Sequence, residues 1–238
     1  MKQKNYRQEK KHLLNSVQTV LLEQRISAIL PLDTNSDGGS YYIRSIYFDT
    51  QFDRAYEEKM AGINEREKIR IRFYGLDKTV IKLERKEKRE NLIYKEDCRI
   101  DAKTAEEMVR GNFEGLLQYD APLAAYVYGL SKGERLHAVV IVDYIRRAYL
   151  YPVGNVRITF DSKLMARKVE GNIWEPGELY DVLGDNTILE IKFNQVIPVF
   201  IKELLSSVPG VRMALSKYTM CRENLLYKQG DYLGGKIP

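Results

Sequence analysis

The chain has little of what most often marks a metal site, a disulfide scaffold or a nucleophilic enzyme. It carries two cysteines in 238 residues, Cys98 and Cys221, at no CxxC or CxxH spacing. That argues against a disulfide framework and a structural zinc site, and for free thiols in a reducing compartment. It carries two histidines, His12 and His137, isolated from each other and matching no metal spacing; His137 precedes an apolar run and reads as structural. No nucleophile elbow supports Ser/His/Asp catalysis. There is no GxxxxGK[ST] or GxGxxG loop, and neither Gly38-Gly39 nor Gly234-Gly235 sits at a strand-to-helix turn that could cradle phosphates. No run approaches the roughly 20 apolar residues of a membrane span, and no apolar stretch follows the opening Met-Lys-Gln-Lys-Asn-Tyr. A soluble, cytoplasmic protein is expected.

What is present is charge arranged with a period of two. The composition, 44% hydrophobic and 30% charged, is that of a globular chain long enough for one large domain. The net charge is only +5, from 38 basic and 33 acidic residues, so distribution matters more than the sum. Ile69-Arg70-Ile71-Arg72-Phe73, Ile81-Lys82-Leu83-Glu84-Arg85-Lys86, Val156-Arg157-Ile158-Thr159-Phe160-Asp161 and Leu189-Glu190-Ile191-Lys192-Phe193 each alternate apolar with charged residues. Each reads as a strand with one greasy and one ionic face. With Tyr6 to His12 taken as a strand, the ionic faces carry Arg7, Lys11, Arg70, Arg72, Lys82, Lys86, Arg146, Arg157 and Lys192 against Glu9, Glu84, Asp161 and Glu190. Nine cations and four carboxylates account for the whole excess of +5. Such strands side by side make a wall suited to something densely anionic.

The remaining segments set the fold class. Residues 13–30 fit a helix through Leu14, Val17, Val20, Leu21 and Ile29, and Pro31 with residues 33–40 makes a loop. Residues 41–49 read as a strand, 51–61 as a short helix ended near Gly62, and 67–74, 79–88 and 94–100 as a meander with a turn near Gly75. Thr104 caps a helix over 104–110 with Gly111 past its end, and a second helix spans 116–128. Strands return at 138–151, broken by a bulge, at 157–161 and at 188–193, with 165–184 irregular between them. Pro198 starts a helix to 206, Ser216 caps another to about Tyr227, and about 229–238 is a loose tail. The sum is one α+β domain over 1–238. About eight strands form a mainly antiparallel sheet, open or closed into a β-barrel, with helices packed outside and a C-terminal helix.

Arg70 and Arg72 point the same way, about 6–7 Å apart along their strand. That spacing suits two neighbouring phosphates, each taking bidentate guanidinium bonds. Taken alone, the more ordinary reading is a solvent-facing pair with counter-charges on adjacent strands. Glu84 reads as a salt-bridge partner. The 17 tyrosines could stack bases, but most fall in strands, where sheet packing is the plainer role.

An ordered set of segments then resembles a known family. The set is Arg7-Gln8-Glu9-Lys10-Lys11, Ser45-Ile46-Tyr47-Phe48-Asp49-Thr50, Arg70-Ile71-Arg72-Phe73-Tyr74-Gly75, Leu83-Glu84-Arg85-Lys86, Tyr144-Ile145-Arg146-Arg147-Ala148-Tyr149, Arg157-Ile158-Thr159-Phe160-Asp161, Ile188-Leu189-Glu190-Ile191-Lys192 and Ser216-Lys217-Tyr218. It resembles the triphosphate tunnel metalloenzymes, specifically the VTC domain of their polyphosphate polymerase branch. The resemblance implies a closed tunnel of eight antiparallel strands whose lumen binds a nucleoside triphosphate, ATP, whose γ-phosphate passes to a growing inorganic polyphosphate. It implies Mn²⁺ or Mg²⁺ at Glu190, with Glu9 a further candidate. Phosphate-binding residues would be Arg7, Lys11, Arg70, Arg72, Lys82, Lys86, Arg146, Arg157, Lys192 and Lys217, with Lys11, Lys86, Lys217 and Glu190 nearest the chemistry. A hydrolase of the same fold and a non-catalytic polyphosphate-binding module are the alternatives; no nucleic acid partner is expected. One departure stands out. The family often carries a second lysine shortly before the SKY lysine, where this chain has Met213-Ala214-Leu215, with Arg212 as the nearest cation.

Overall fold

The computed structural model describes residues 7–33, 39–90, 92–194, 196–207 and 210–229. The expected tail falls outside these, apart from its first residue. The chain runs β1 (Gln8–Leu14), α1 (Ser16–Ser27), β2 (Tyr41–Asp49), α2 (Arg54–Met60), β3 (Glu65–Tyr74), β4 (Ile81–Arg89), β5 (Leu92–Ile100) and α3 (Ala102–Val109). It continues with α4 (Pro122–Glu134), β6 (His137–Tyr151), β7 (Val156–Arg167), β8 (Tyr180–Asp181), β9 (Thr187–Phe193), α5 (Val199–Ser206), β10 (Val211–Arg212) and α6 (Lys217–Gln229). Among the described residues no helix is long and apolar enough to cross a membrane.

All ten strands share one antiparallel sheet in the order β10-β1-β9-β7-β6-β2-β3-β4-β5, with β8 paired to β7. Just before β1, the Arg7 amide donates to the carbonyl of Ile93 in β5 at 3.0 Å and the Ile93 amide to the Arg7 carbonyl at 3.1 Å. The expected barrel of eight long strands is therefore a curled sheet whose edges meet at one bridge, not a continuous hydrogen-bonded ring.

Register fixes which side chains face inward. Tyr47 lies opposite Arg70 and Val140, and Ser45 opposite Arg72 and Val142. Glu190 lies opposite both Lys11 and Thr159. The alternate residues face out into two apolar layers. Ile46, Phe48, Ile69, Ile71, Phe73, Ile81 and Leu83 pack under α3 and α4. Leu14, Ile158, Phe160, Leu189, Ile191 and Phe193 pack with Leu22 and Ile26 of α1 and Ile201 of α5. The third apolar cluster is internal: Tyr218, Cys221 and Leu225 of α6 pack on Ile43, Val140, Val142, Leu164, Ala166 and Ile188. The C-terminal helix thus fills part of the lumen and leaves the rest to charged residues.

Several boundaries differ from expectation for local reasons. Leu14 belongs to β1, and α1 starts after Asn15. That side chain accepts from the Gln18 amide while Gln18 Oε1 accepts from the Asn15 amide. The buried stripe of α1 is Leu22 and Ile26, so Val17, Val20, Leu21 and Ile29 are exposed. Asp101, not Thr104, caps α3, accepting from the Thr104 amide at 2.7 Å. The helix expected over 116–128 is split into a 3-10 turn, Glu114–Gln118, and α4, whose first residue is Pro122. Part of the supposedly irregular 165–184 is sheet. A left-handed Lys163 adds one residue to β7, after which Met165 pairs with both Asp143 and Asp181.

The rest of that stretch is clamped by buried Arg44. Its guanidinium bonds Asp143 at 2.8 and 2.7 Å and donates to the carbonyls of Ile173, Glu175 and Pro176. Arg44→Ala leaves Asp143 buried without its partner and should cost about 3–5 kcal/mol by urea denaturation. A loss under about 1 kcal/mol, the range of an exposed pair, would contradict this role.

Candidate functional site

The inner faces of β2, β3 and β4 hold the Arg70–Arg72 pair. Glu84 sits between the two guanidinium groups, its Oε2 2.7 Å from Arg70 Nη2 and 3.7 Å from Arg72 Nη1. Its Oε1 lies 2.7 Å from Lys95 Nζ on β5. Arg70 also donates to the Tyr47 hydroxyl at 2.7 Å and Arg72 to the Tyr144 hydroxyl at 3.2 Å. Arg72 is only 7% exposed, so the solvent-facing reading of the pair is excluded. Burial opposes ionisation of Glu84, yet Arg70, Arg72 and Lys95 outweigh it and hold the carboxyl well below its usual range.

Facing this wall, Arg146 of β6 grips Asp161 of β7 through two bonds of 2.6 and 2.7 Å. Lys217, the first residue of α6, places Nζ 2.6 Å from Asp161 Oδ2 and 5.0 Å from the centre of the Tyr144 ring. The register of α6 that delivers Lys217 is set by Ser216, whose Oγ accepts from the Thr219 amide. Burial pushes the Asp161 carboxyl up, but Arg146 and Lys217 bring it down to about 2.

The third wall is β1 with β9. Lys11 Nζ lies between two carboxylates, 3.0 Å from Glu9 Oε1 and 3.6 Å from Glu190 Oε2. Lys86 reaches across from β4 to Glu9 Oε2 at 2.8 Å, and Lys192 pairs with Glu190 Oε1. The Lys86–Glu9 contact joins strands that are not neighbours in the sheet, which is direct geometric evidence of an enclosed lumen. Burial and Glu190 raise the Glu9 carboxyl, and Lys11, Lys86 and Lys192 overcome them to lower it. Burial depresses the Lys192 ammonium to about 8 despite Glu190 and Glu9.

The other sequence-predicted residues are more peripheral. Arg157 is half-buried, bonded to Asp33 and the Tyr41 hydroxyl at 2.7 Å each. Lys82 is half-buried and 3.6 Å from Asp97. Arg7 is exposed, at the bridge that closes the sheet. Arg212 pairs in register with outward-facing His12 and is exposed, so it does not replace the missing second lysine in the lumen.

Sequence reasoning missed Lys68, which donates to Ser216 Oγ at 2.6 Å, as well as Lys95, Asp33 and the three tyrosines that orient arginines. Lys68 was detectable, being two residues before Arg70 in the same alternation. Tyr41, Tyr47 and Tyr144 were hidden because a strand tyrosine reads the same on either face until register is known.

Glu9 and Glu190 form a pair of hard carboxylate donors among the ammonium groups of Lys11, Lys86 and Lys192. That donor set fits Mg²⁺ or Mn²⁺, which commonly take one or two carboxylates and complete their shell with phosphate oxygens and water. Among the described residues no cluster of three or more His, Cys, Asp or Glu is placed to hold a metal ion, so phosphate oxygens and water would complete the shell.

The VTC domain model matches residues 6–226. The chain belongs to the VTC domain family. Among solved structures, a Hippeastrum protein provisionally named as an adenylyl cyclase, and described as having a dominant triphosphatase activity, is similar with a TM-score of 0.54. Identity is 15%, over 96% of this chain and 97% of that one. A Bacillus halodurans protein provisionally named as an adenylate cyclase has a TM-score of 0.53 and 13% identity, over 89% of this chain and 96% of that one. At these identities the likeness is one of fold. No curated protein matches the sequence significantly.

In this VTC domain, Asp161→Asn should leave Arg146 and Lys217 without their carboxylate and cost about 3–5 kcal/mol. Tripolyphosphate should then stabilise the variant more than the wild type in a thermal melt. Equal stabilisation would mean that phosphate does not reach Arg146 and Lys217.

Proposed function

We propose that the protein is a metal-dependent phosphoryl transferase that takes a nucleoside triphosphate, ATP, into its basic lumen and extends an inorganic polyphosphate chain. The observation that carries the reading is the convergence of Arg70, Arg72, Arg146 and Lys217 on one enclosed space. There they are held by internal carboxylates and by tyrosine and serine hydroxyls. A triphosphate can replace those partners.

In this account Arg70, Arg72, Arg146 and Arg157 hold the triphosphate oxygens. Lys11, Lys86 and Lys217 neutralise the γ-phosphoryl group and the incoming chain end, while Lys82, Lys192 and Arg7 extend the cationic lining. A terminal phosphate oxygen of the chain attacks the γ-phosphorus. The bond from γ-phosphorus to the β–γ bridging oxygen breaks, ADP leaves, and the chain is longer by one unit. Phosphoryl transfer needs positioning and charge neutralisation more than covalent help. The attacking oxygen is already anionic near neutral pH, so the scarcity of histidine is no obstacle. Glu190, with Glu9 beside it, would hold Mn²⁺ or Mg²⁺, which supplies Lewis-acid neutralisation of phosphate charge. Free thiols at Cys98 and Cys221 suit action in the cytoplasm.

A hydrolase reading has one specific support, the triphosphatase activity described for the Hippeastrum protein. Water would then replace the polyphosphate end as acceptor. Incubation with ATP and Mn²⁺ distinguishes the two: long phosphate polymer is expected, whereas orthophosphate alone would establish hydrolysis and binding without turnover would remove catalysis. Arg70→Ala with Arg72→Ala deletes several charge-assisted hydrogen bonds worth about 1.5–3 kcal/mol each, so ATP affinity should fall at least about a hundredfold. Unchanged affinity would remove the pair from the binding site. Glu190→Gln should abolish metal-stimulated turnover while the protein stays folded; unaltered metal dependence would reject the glutamate as a ligand.

A further inference from the structure

Two sequence segments that lie far apart in the chain, Tyr47-Phe48-Asp49-Thr50 and Ser216-Lys217-Tyr218, meet in space. Asp49 ends β2 and Tyr218 is the second residue of α6. Both are buried, and the Tyr218 hydroxyl donates to Asp49 Oδ2. Asp49 also accepts from the amides of Thr50 at 2.8 Å, Ala55 at 2.9 Å and Tyr56 at 3.1 Å, which fixes the turn into α2. Arg222, one helical turn after Tyr218, donates to the Tyr218 hydroxyl at 2.9 Å and to Asp49 Oδ2 at 3.3 Å. It also reaches Asp53 Oδ2 at 2.6 Å. These donors fill the acceptor capacity of a carboxylate, so Asp49 has no lone pair left for a ligand or a metal.

The bond from Tyr218 bears on the residue before it. Ser216, Lys217 and Tyr218 are tied to three different strands. Ser216 Oγ accepts from Lys68 of β3 at 2.6 Å, Lys217 Nζ lies 2.6 Å from Asp161 of β7, and Tyr218 donates to Asp49 of β2. Burial, then the Asp49 carboxylate, push the Tyr218 phenol well above its ordinary range, so the hydroxyl keeps its proton and remains the donor. The Tyr218 ring lies against that of Tyr47, with centres 5.2 Å apart, and the Tyr47 hydroxyl holds Arg70. A lysine ammonium rides on a flexible four-carbon stem, so its position depends on how firmly its backbone is anchored. Here the anchors are the residues on either side of it.

We infer that Asp49 is a positioning residue: acting through Tyr218, it sets the start of α6 so that Lys217 meets the triphosphate beside Arg146, while Asp49 itself touches no ligand. This rests on the triphosphate reading of the lumen. A displacement of about 1 Å at a reacting group can cost a hundredfold in rate, so a fixed anchor beside Lys217 has a functional consequence beyond holding α2 and α6 together.

The test is a double-mutant cycle read by tripolyphosphate affinity, with urea denaturation of every variant. Asp49→Asn and Tyr218→Phe are each made alone and together with Lys217→Ala. Tyr218→Phe keeps the ring and every bond from Asp49 to α2, so it reports on the link even where Asp49→Asn does not fold. Alone, each substitution should weaken tripolyphosphate binding at least about fivefold. In the Lys217→Ala background the same substitution should change affinity by less than about twofold, because no ammonium remains to be placed. The loss of stability in urea should be the same in both backgrounds. An equal loss of affinity with and without Lys217 would show that the link supports the fold alone and overturn the positioning role, as would unchanged affinity in Tyr218→Phe. A Lys217→Ala variant that binds as tightly as the wild type removes Lys217 from the site, and the role of Asp49 with it, while leaving the Arg70–Arg72 pair untouched. A wild type that binds no tripolyphosphate refutes the lumen reading and the inference that rests on it.

Discussion

Arginine and lysine turned into a protein interior must find negative charge there, because each desolvated and unpaired cation costs several kilocalories per mole. That requirement organises this molecule. Glu84 stands between Arg70 and Arg72, Asp161 between Arg146 and Lys217, and Glu9 with Glu190 around Lys11. Each carboxylate keeps long, flexible cationic side chains in one rotamer. The lumen is thereby preorganised for a ligand that brings its own negative charge, and the entropy of ordering the cations is spent during folding rather than at binding.

The fold serves this arrangement from both sides of the sheet. Outside, α1 and α5 cover one apolar layer while α3 and α4 cover another. Inside, α6 fills part of the space with Tyr218, Cys221 and Leu225, and its first residue, Lys217, joins the charge cluster. One helix therefore closes the apolar end and completes the ionic one. The tyrosines are the counterpart on the strands. Tyr47 and Tyr144 present hydroxyls to Arg70 and Arg72, and their rings belong to the same internal apolar cluster as α6.

Much of this was legible in the sequence because a period of two is unambiguous where one face is apolar and the other is arginine and lysine. Arg70, Arg72, Lys86, Glu190 and Lys11 were placed on one face by alternation alone, and β2 was bounded correctly. What stayed hidden depended on contacts distant in sequence. The pairing of Lys86 with Glu9 and of Arg157 with Asp33 crosses the lumen or a loop, and no local pattern encodes it. The buried stripe of α1 was misjudged because Val17, Val20 and Leu21 are as apolar as Leu22 and Ile26, so hydropathy could not choose between adjacent faces. Arg44 was overlooked because a lone arginine on an otherwise apolar strand face looks like an interruption until Asp143 and three backbone carbonyls are seen around it.

The most direct examination of the central claim is a crystal structure with tripolyphosphate bound. The account predicts phosphate density in the lumen within hydrogen-bonding distance of Arg70, Arg72, Arg146 and Lys217, with Glu84 or Asp161 giving up part of its contact to those cations. Density confined to the outer surface, or a lumen whose ion pairs are unaltered at saturating ligand, would contradict it.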